Sequence, residues 1–359
     1  MKKPLSLIVI FLIIITLTAA ASDSKKPKNL ILFIGDGMGV AQVYSAMTSS
    51  GFIMTFPAFP VTGFSITYSN NRYITDSGAG ATALSTGEKT NNGMIATRPD
   101  STKLTTIMEL AKSKGMSSGV ISTSQVTDAT PASFIAHNAS RGSQEDIATW
   151  FLDGTADVFI GGGKDYFTNR TDSADLTVAL KKMGYDVVYT LADLQKSKSG
   201  KLAGLMADLG MPSIKGGRDT NFLADATSKA IEILSGNPNG FILMVEGSEI
   251  DWAAHDNDFE GVVDETMDMD RAVKVAYEFA KKSKNTVIVV TADHETGGLS
   301  LTGGDITERK ATGTFSTKGH TAVMVPVFAF GPGAGAFSGV QQNTELYSDF
   351  VRLLSLGEK

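Results

Sequence analysis

Asn29-Leu30-Ile31-Leu32-Phe33-Ile34-Gly35-Asp36-Gly37-Met38-Gly39 reads as a buried strand that runs out into a glycine turn carrying a carboxylate. The stretch from Asn29 to Gly35 is a short, nearly unbroken apolar run, the pattern of a parallel strand covered on both faces. Similar runs recur at 118–123, 156–161, 240–245, 286–291 and 325–331, with helical patterns at 105–114, 223–234 and 264–282 between them. Strands alternating with helices predict a doubly wound α/β sandwich, with a large, mostly parallel central sheet and helices on both faces. The Gly35–Gly39 turn does not fit a dinucleotide site. It lacks a third glycine at the right spacing, and Asp36 would set negative charge against a pyrophosphate.

Composition bounds the rest. The chain has 359 residues, 42% hydrophobic and 19% charged, which suits a globular protein with a large core. No repeat, low-complexity tract or Pro-rich linker divides it, so residues 22–359 are expected to form one domain. Residues 302–318, rich in Gly, Thr and charge, read as a solvated loop, and 173–215 suggests no chemistry. Lys2 and Lys3, an apolar run from Leu5 to Leu17 and Ala19-Ala20-Ala21 have the pattern of a secretory signal peptide over 1–21. The run is shorter than the ~20 residues of a spanning helix. A secreted or periplasmic protein is therefore expected, with no membrane attachment once the signal is removed. The chain has no cysteine, so no disulfide forms. Losing two lysines moves the net charge from −6 to −8, which disfavours nucleic acid as a stable partner.

Acids follow the strand runs repeatedly: Asp36, Asp128, Glu246 and the pair Asp293-His294. Ligands of open α/β sheets bind at the carboxyl ends of strands. One acid there also serves as a helix N-cap. Four converging carboxylates repel and desolvate one another unless cations neutralise them. Three of the four histidines stand in ligand-like settings. Asp251 and His255 share a helical face at i, i+4. Asp293 and His294 can both reach an ion only if their strand has ended and turned, which Thr296-Gly297-Gly298 allows. His320 completes a nitrogen and oxygen donor set of the type zinc accepts. His137 reads as a structural hydrogen-bonding residue. Thr75-Asp76-Ser77-Gly78-Ala79-Gly80 opens a helix among small residues, placing Ser77 where N–H groups and the helix dipole favour phosphate. Arg141, in the segment that begins with Asp128 and Thr130, could clamp phosphate oxygens with its planar fork or serve as an ordinary surface arginine.

Together, Phe33–Gly39, the Asp76-Ser77 turn, the Asp128–Arg141 segment, Glu246–Asp251 with His255, Asp293–Gly298 and Gly319-His320 resemble the alkaline phosphatase family. The resemblance spans residues 33–320. It implies phosphomonoester hydrolysis through a covalent phosphoserine on Ser77, helped by two zinc ions and one magnesium ion. It further implies that Asp251, His255 and His320 hold one zinc, while Asp36, Asp293, His294 and, during turnover, Ser77 surround the second. Asp36, Thr130 and Glu246 would hold the magnesium, with Asp128 acting through a bound water and Asp76 orienting Arg141. Small phosphate monoesters would be the substrates and a homodimer the assembly. Trp252 stands where some members have lysine or histidine, Asp128 where others have histidine, and the short interval from His294 to His320 leaves no room for a large crown domain. A phosphodiesterase or sulfatase of the same superfamily, or a non-catalytic periplasmic phosphate or metal binder, are the alternatives. The sulfatase reading requires a modified cysteine or serine in a different motif.

Overall fold

The computed structural model describes residues 26–357, so the expected signal peptide lies outside the described residues. Its strands, in chain order, are β1 (Asn29–Gly35), β2 (Val61–Ile66), β3 (Ser117–Gln125), β4 (Val158–Gly162), β5 (Asp186–Val188), β6 (Leu202–Leu205), β7 (Phe241–Gly247), β8 (Thr286–Thr291), β9 (Glu295–Thr296), β10 (Leu299–Asp305), β11 (Lys310–Phe315), β12 (His320–Thr321), β13 (Val325–Phe330) and β14 (Gly339–Gln342). Ten of them form one sheet in the order β14-β2-β13-β8-β1-β7-β3-β4-β6-β5. Only β13 runs against its neighbours, β2 and β8; every other pairing in this sheet is parallel. The expected α/β sandwich is what the chain forms.

Every residue of β1, β7 and β8 is buried, as their apolar runs require. Alternate side chains of each strand leave on opposite faces. Ile31, Phe33, Leu243, Val245, Ile288 and Val290 pack under the helices Phe222–Leu234 and Phe259–Ser283. Leu30, Leu32, Ile34, Ile242, Met244, Val287 and Val289 meet the helices Ser77–Thr86, Ile107–Ser113 and Asn343–Leu353 on the other side. Each such large side chain, fully withdrawn from water, contributes roughly 1.5–3 kcal/mol.

Two expectations change in detail. The helix expected over 264–282 spans Phe259–Ser283, because the Asp258 carboxylate accepts from the Gly261 N–H and caps it earlier. Residues 302–318 are exposed as expected, yet most of them belong to the antiparallel pair β10–β11 rather than to an irregular loop. Residues 173–215 contribute β5 and β6, which complete one edge of the sheet. Among the described residues no helix is long and apolar enough to cross a membrane.

Candidate active site

Strand register sets the site. Ile34 of β1 lies opposite Glu246 of β7 on one side and Thr291 of β8 on the other, and Ser122 of β3 lies opposite Glu246. Asp36 and Asp293 each come two residues beyond that rung, so four adjacent strands deliver Asp36, Asp293, Glu246 and Ser122 to the same edge of the sheet. β8 ends at Thr291, and the turn that follows lets neighbouring Asp293 and His294 face the same point. His294 Nε2 lies 3.3 Å from Asp36 Oδ1 and 3.3 Å from Asp293 Oδ2.

Ser77 is the first residue of its helix, behind Asp76, whose Oδ1 accepts from Ala79 N (3.0 Å) and caps it. Ser77 Oγ is 3.3 Å from His294 Nε2. Small residues make this approach feasible. A Cβ on Gly80 would lie 3.0 Å from the Asp293 carbonyl oxygen, tighter than ordinary contact. Asp76 Oδ2 accepts from Gly93 N (2.9 Å) and Arg141 Nη1 (3.1 Å), while Asp128 Oδ1 lies 3.4 Å from Arg141 Nη2. The guanidinium is thereby held beside the serine with its side chain still one-third exposed.

Asp251 and His255 do share a face of the Glu249–His255 helix, with Asp251 Oδ2 3.2 Å from His255 Nε2. His320 arrives by a different route. β12 pairs antiparallel with β9, setting His320 opposite Thr296, and its ring stacks on that of His294 with centroids 3.6 Å apart. His320 Nε2 is 3.2 Å from His255 Nε2 and 3.8 Å from Asp251 Oδ1. The opposite ring nitrogens are committed: Nδ1 of His320 faces the Thr75 carbonyl (2.9 Å) and Nδ1 of His255 the Lys318 carbonyl. A carbonyl only accepts, so both Nδ1 atoms carry hydrogen and both Nε2 atoms turn toward Asp251 and each other.

Two groups of donor atoms lie within 4.8 Å of one another: Asp36, Asp293 and His294, and Asp251, His294 and His320. His294 thus belongs to both, a sharing that spacing did not reveal, and His255 joins the second through Asp251 and His320. Glu246, Asp128 and Thr130 form a looser set nearby. Glu246 accepts from Ser122 Oγ (2.6 Å), Asp128 from Ser124 Oγ (3.2 Å), and the buried Thr130 hydroxyl has no hydrogen-bond partner of ordinary geometry. His137 stands apart, bonded to the Ala96 carbonyl (2.9 Å) and Glu109 (3.0 Å), as a structural residue should be.

Electrostatics describe a cage short of positive charge. Burial first, and Asp251 second, push Asp293 up to about 8; burial and Asp293 hold Asp36 well above the carboxylate range. Burial and Asp128 push Glu246 up to about 7. Burial, with His320 next, holds His294 well below the usual histidine range. Asp36 Oδ1 and Asp293 Oδ2 are buried without a hydrogen-bond partner. Orphaned carboxylate oxygens beside bare imidazole nitrogens fit divalent cations, which keep the acids ionised and fill the unused lone pairs.

Sequence reading passed over Glu295 and the Thr296 hydroxyl. Glu295 accepts from Gln42 Nε2 (2.8 Å), Leu299 N (3.1 Å) and Thr321 Oγ1, tying down the strand that carries His320. Thr296 lies two residues past His294, on the same side of an extended segment, which was the available signal.

A doubly wound α/β sheet with carboxylates and imidazoles gathered at its strand ends around a helix-capping serine defines a metal-binding hydrolase site. Residues 27–311 match the family profile described as alkaline phosphatase. Alkaline phosphatase 4 of Bacillus subtilis is 41% identical over 300 residues, covering 79% of this chain and 65% of that protein, so the chain spans just under two thirds of that relative. The solved alkaline phosphatase of the Antarctic bacterium TAB5 is 39% identical, with a TM-score of 0.88 over 93% of this chain and 100% of that one. A variant of the TAB5 enzyme with a histidine replaced by aspartate has been solved with magnesium in its M3 site; it is 38% identical, with a TM-score of 0.88, covering 93% of this chain and 99% of that one. The chain belongs to the alkaline phosphatase family.

Proposed function

We propose that the chain hydrolyses phosphate monoesters in two displacements, with Ser77 taking the phosphoryl group from the ester and water then releasing it as inorganic phosphate. Phosphomonoester hydrolysis is the activity of the family; the finer proposal is the route. One observation carries it: the Ser77 hydroxyl, at the first turn of a helix, lies 3.3 Å from a histidine nitrogen flanked by two unpartnered carboxylate oxygens.

Asp36, Asp293 and His294 would hold one zinc ion, and Asp251, His255 and His320 another. Asp36, Thr130 and Glu246 would hold magnesium with Asp128 alongside. A TAB5 variant with an aspartate in place of a histidine holds magnesium in its M3 site, and the family resemblance sets Asp128 where other members have histidine, which supports this reading. When bound, the ions lower the pKa of the attacking hydroxyl and balance charge on the departing oxygen. The chain's own groups do the rest. Arg141, steadied by Asp76 and Asp128, grips two phosphate oxygens, and the helix N-terminus adds partial positive charge. In the first step the Ser77 hydroxyl gives its proton to solvent as the Oγ–P bond forms, the P–O bond to the alcohol breaks, and the alcohol leaves with a proton taken from solvent. In the second, a water oxygen bonds to phosphorus, the Ser77 Oγ–P bond breaks and the serine regains its proton.

Export through the segment 1–21 to the periplasm or beyond, a homodimer, and one catalytic domain over 22–359 without a large crown belong to the same proposal. The test is p-nitrophenyl phosphate hydrolysis with elemental analysis. Activity should vanish with a chelator, return with zinc plus magnesium, and be lost in Ser77→Ala while that variant keeps its metal. Chelator-resistant turnover would instead favour His294 as the base of a metal-free serine hydrolase, since its Nε2 faces Ser77.

A further inference from the structure

The Thr296 hydroxyl lies between the two groups of donor atoms and contacts both. Its oxygen is hydrogen-bonded to Asp251 Oδ1 and is 3.2 Å from His294 Nδ1. A hydroxyl has one hydrogen and a carboxylate has none to give, so the hydrogen goes to Asp251. The lone pairs of Oγ1 can then only accept, and the one group offering a hydrogen is His294 Nδ1. That assignment leaves His294 Nε2 as the nitrogen aimed at Ser77, Asp36 and Asp293.

The backbone leaves the hydroxyl little freedom. Thr296 N donates to the Gly37 carbonyl (3.0 Å), its carbonyl accepts from Gln42 Nε2 (2.9 Å), and His320 is its partner across β9–β12. A Cβ on Gly37 would sit 2.7 Å from the same Oγ1, so the turn after β1 closes against the hydroxyl. Thr296 is fully buried.

We infer that Thr296 is a positioning residue whose single hydroxyl sets the ring nitrogen that His294 presents and the carboxylate orientation that Asp251 presents, so that one side chain prepares both cation sites. The inference rests on the cation reading of the site. Hydrogen-bonding partners behind metal ligands change metal affinity by roughly 10–100-fold when removed. A residue behind two ligands in different sites should therefore move both affinities together.

The experiment is zinc titration of the metal-stripped full chain against a competing chromophoric chelator, comparing wild type with Thr296→Ser, Thr296→Val and Thr296→Ala. Thr296→Val keeps the shape and loses the hydroxyl; both zinc affinities should fall by roughly 10–100-fold. Thr296→Ser, which keeps the hydroxyl, should stay near wild type. If Thr296→Val does not fold, the Ser and Ala variants differ by the hydroxyl alone and carry the same expectation. Wild-type zinc affinities in Thr296→Val or Thr296→Ala, a loss at one site only, or a Thr296→Ser as weak as the Ala variant would overturn the inference. A wild-type chain that binds no zinc would instead sink the proposed function.

Discussion

Removing the metal should make the protein lose stability as pH rises through neutrality, and Asp293 should account for a measurable part of the loss. Burial, with the Asp251 charge next, pushes its carboxyl up to about 8 from the ordinary 3.8. Between those pH values the native chain keeps a proton that the unfolded chain has released. Stability then falls with pH by about 1.4 kcal/mol per unit for this one group. His294 acts in the opposite direction at lower pH, because burial keeps it neutral where the unfolded histidine is charged, but that effect ends near its unfolded value of ~6.5. Above it the acids act in one sense together with His255, which the Asp251 hydrogen bond pushes up to about 9 and which solvent partly screens. From pH ~6.5 to 8 the Asp293 share is about 1.5 units, or roughly 2 kcal/mol. Urea unfolding of chelator-treated wild type and Asp293→Asn across this window measures it. The wild type should lose at least that amount, the variant should lose about 2 kcal/mol less, and zinc should remove the slope from wild type by keeping the carboxylate ionised. A metal-stripped wild type of level stability from pH 6.5 to 8, or a variant with an unchanged slope, would refute the reasoning.

Two further outcomes are expected. Arg141→Ala should weaken inhibition by inorganic phosphate roughly 10–100-fold, since about two charge-assisted hydrogen bonds are lost, while zinc content stays at the wild-type level. Gly37→Ala should cost about 1–3 kcal/mol in thermal or urea unfolding and lower zinc affinity as well, because its φ of +68° strains an alanine and the added Cβ would lie 2.8 Å from Asp251 Oδ1.

Strands covered on both faces were legible in the chain. β1, β3, β4, β7, β8 and β13 are apolar enough to announce themselves, and the acids at their ends pointed to the site. The strands that were missed have side chains that say little. β5 has three residues; β14 is Gly-Val-Gln-Gln and largely exposed; β2 alternates buried and partly exposed positions around a glycine. β2 and β14 are placed by backbone pairing with strands far away in sequence, and β5 by pairing at the sheet edge with β6. Within the site, carboxylates and histidines are rare enough to stand out, whereas Ser122, Gln42 and Thr296 are common residue types. Their importance comes from what lies across from them in the sheet. That His294 serves both donor groups likewise depends on the stacking with His320, which only the β9–β12 pairing brings about.

That pairing also separates two jobs along the chain. β9 and β12 close the base of the β10–β11 hairpin, and Glu295 bonded to Thr321 locks that base. The tip around Ile306 is exposed. Whatever happens to the hairpin's length is therefore absorbed beyond a closed gate, and His320 keeps its position. The molecule has a place where it can lengthen, shorten or acquire a new surface while its reaction centre stays as it was.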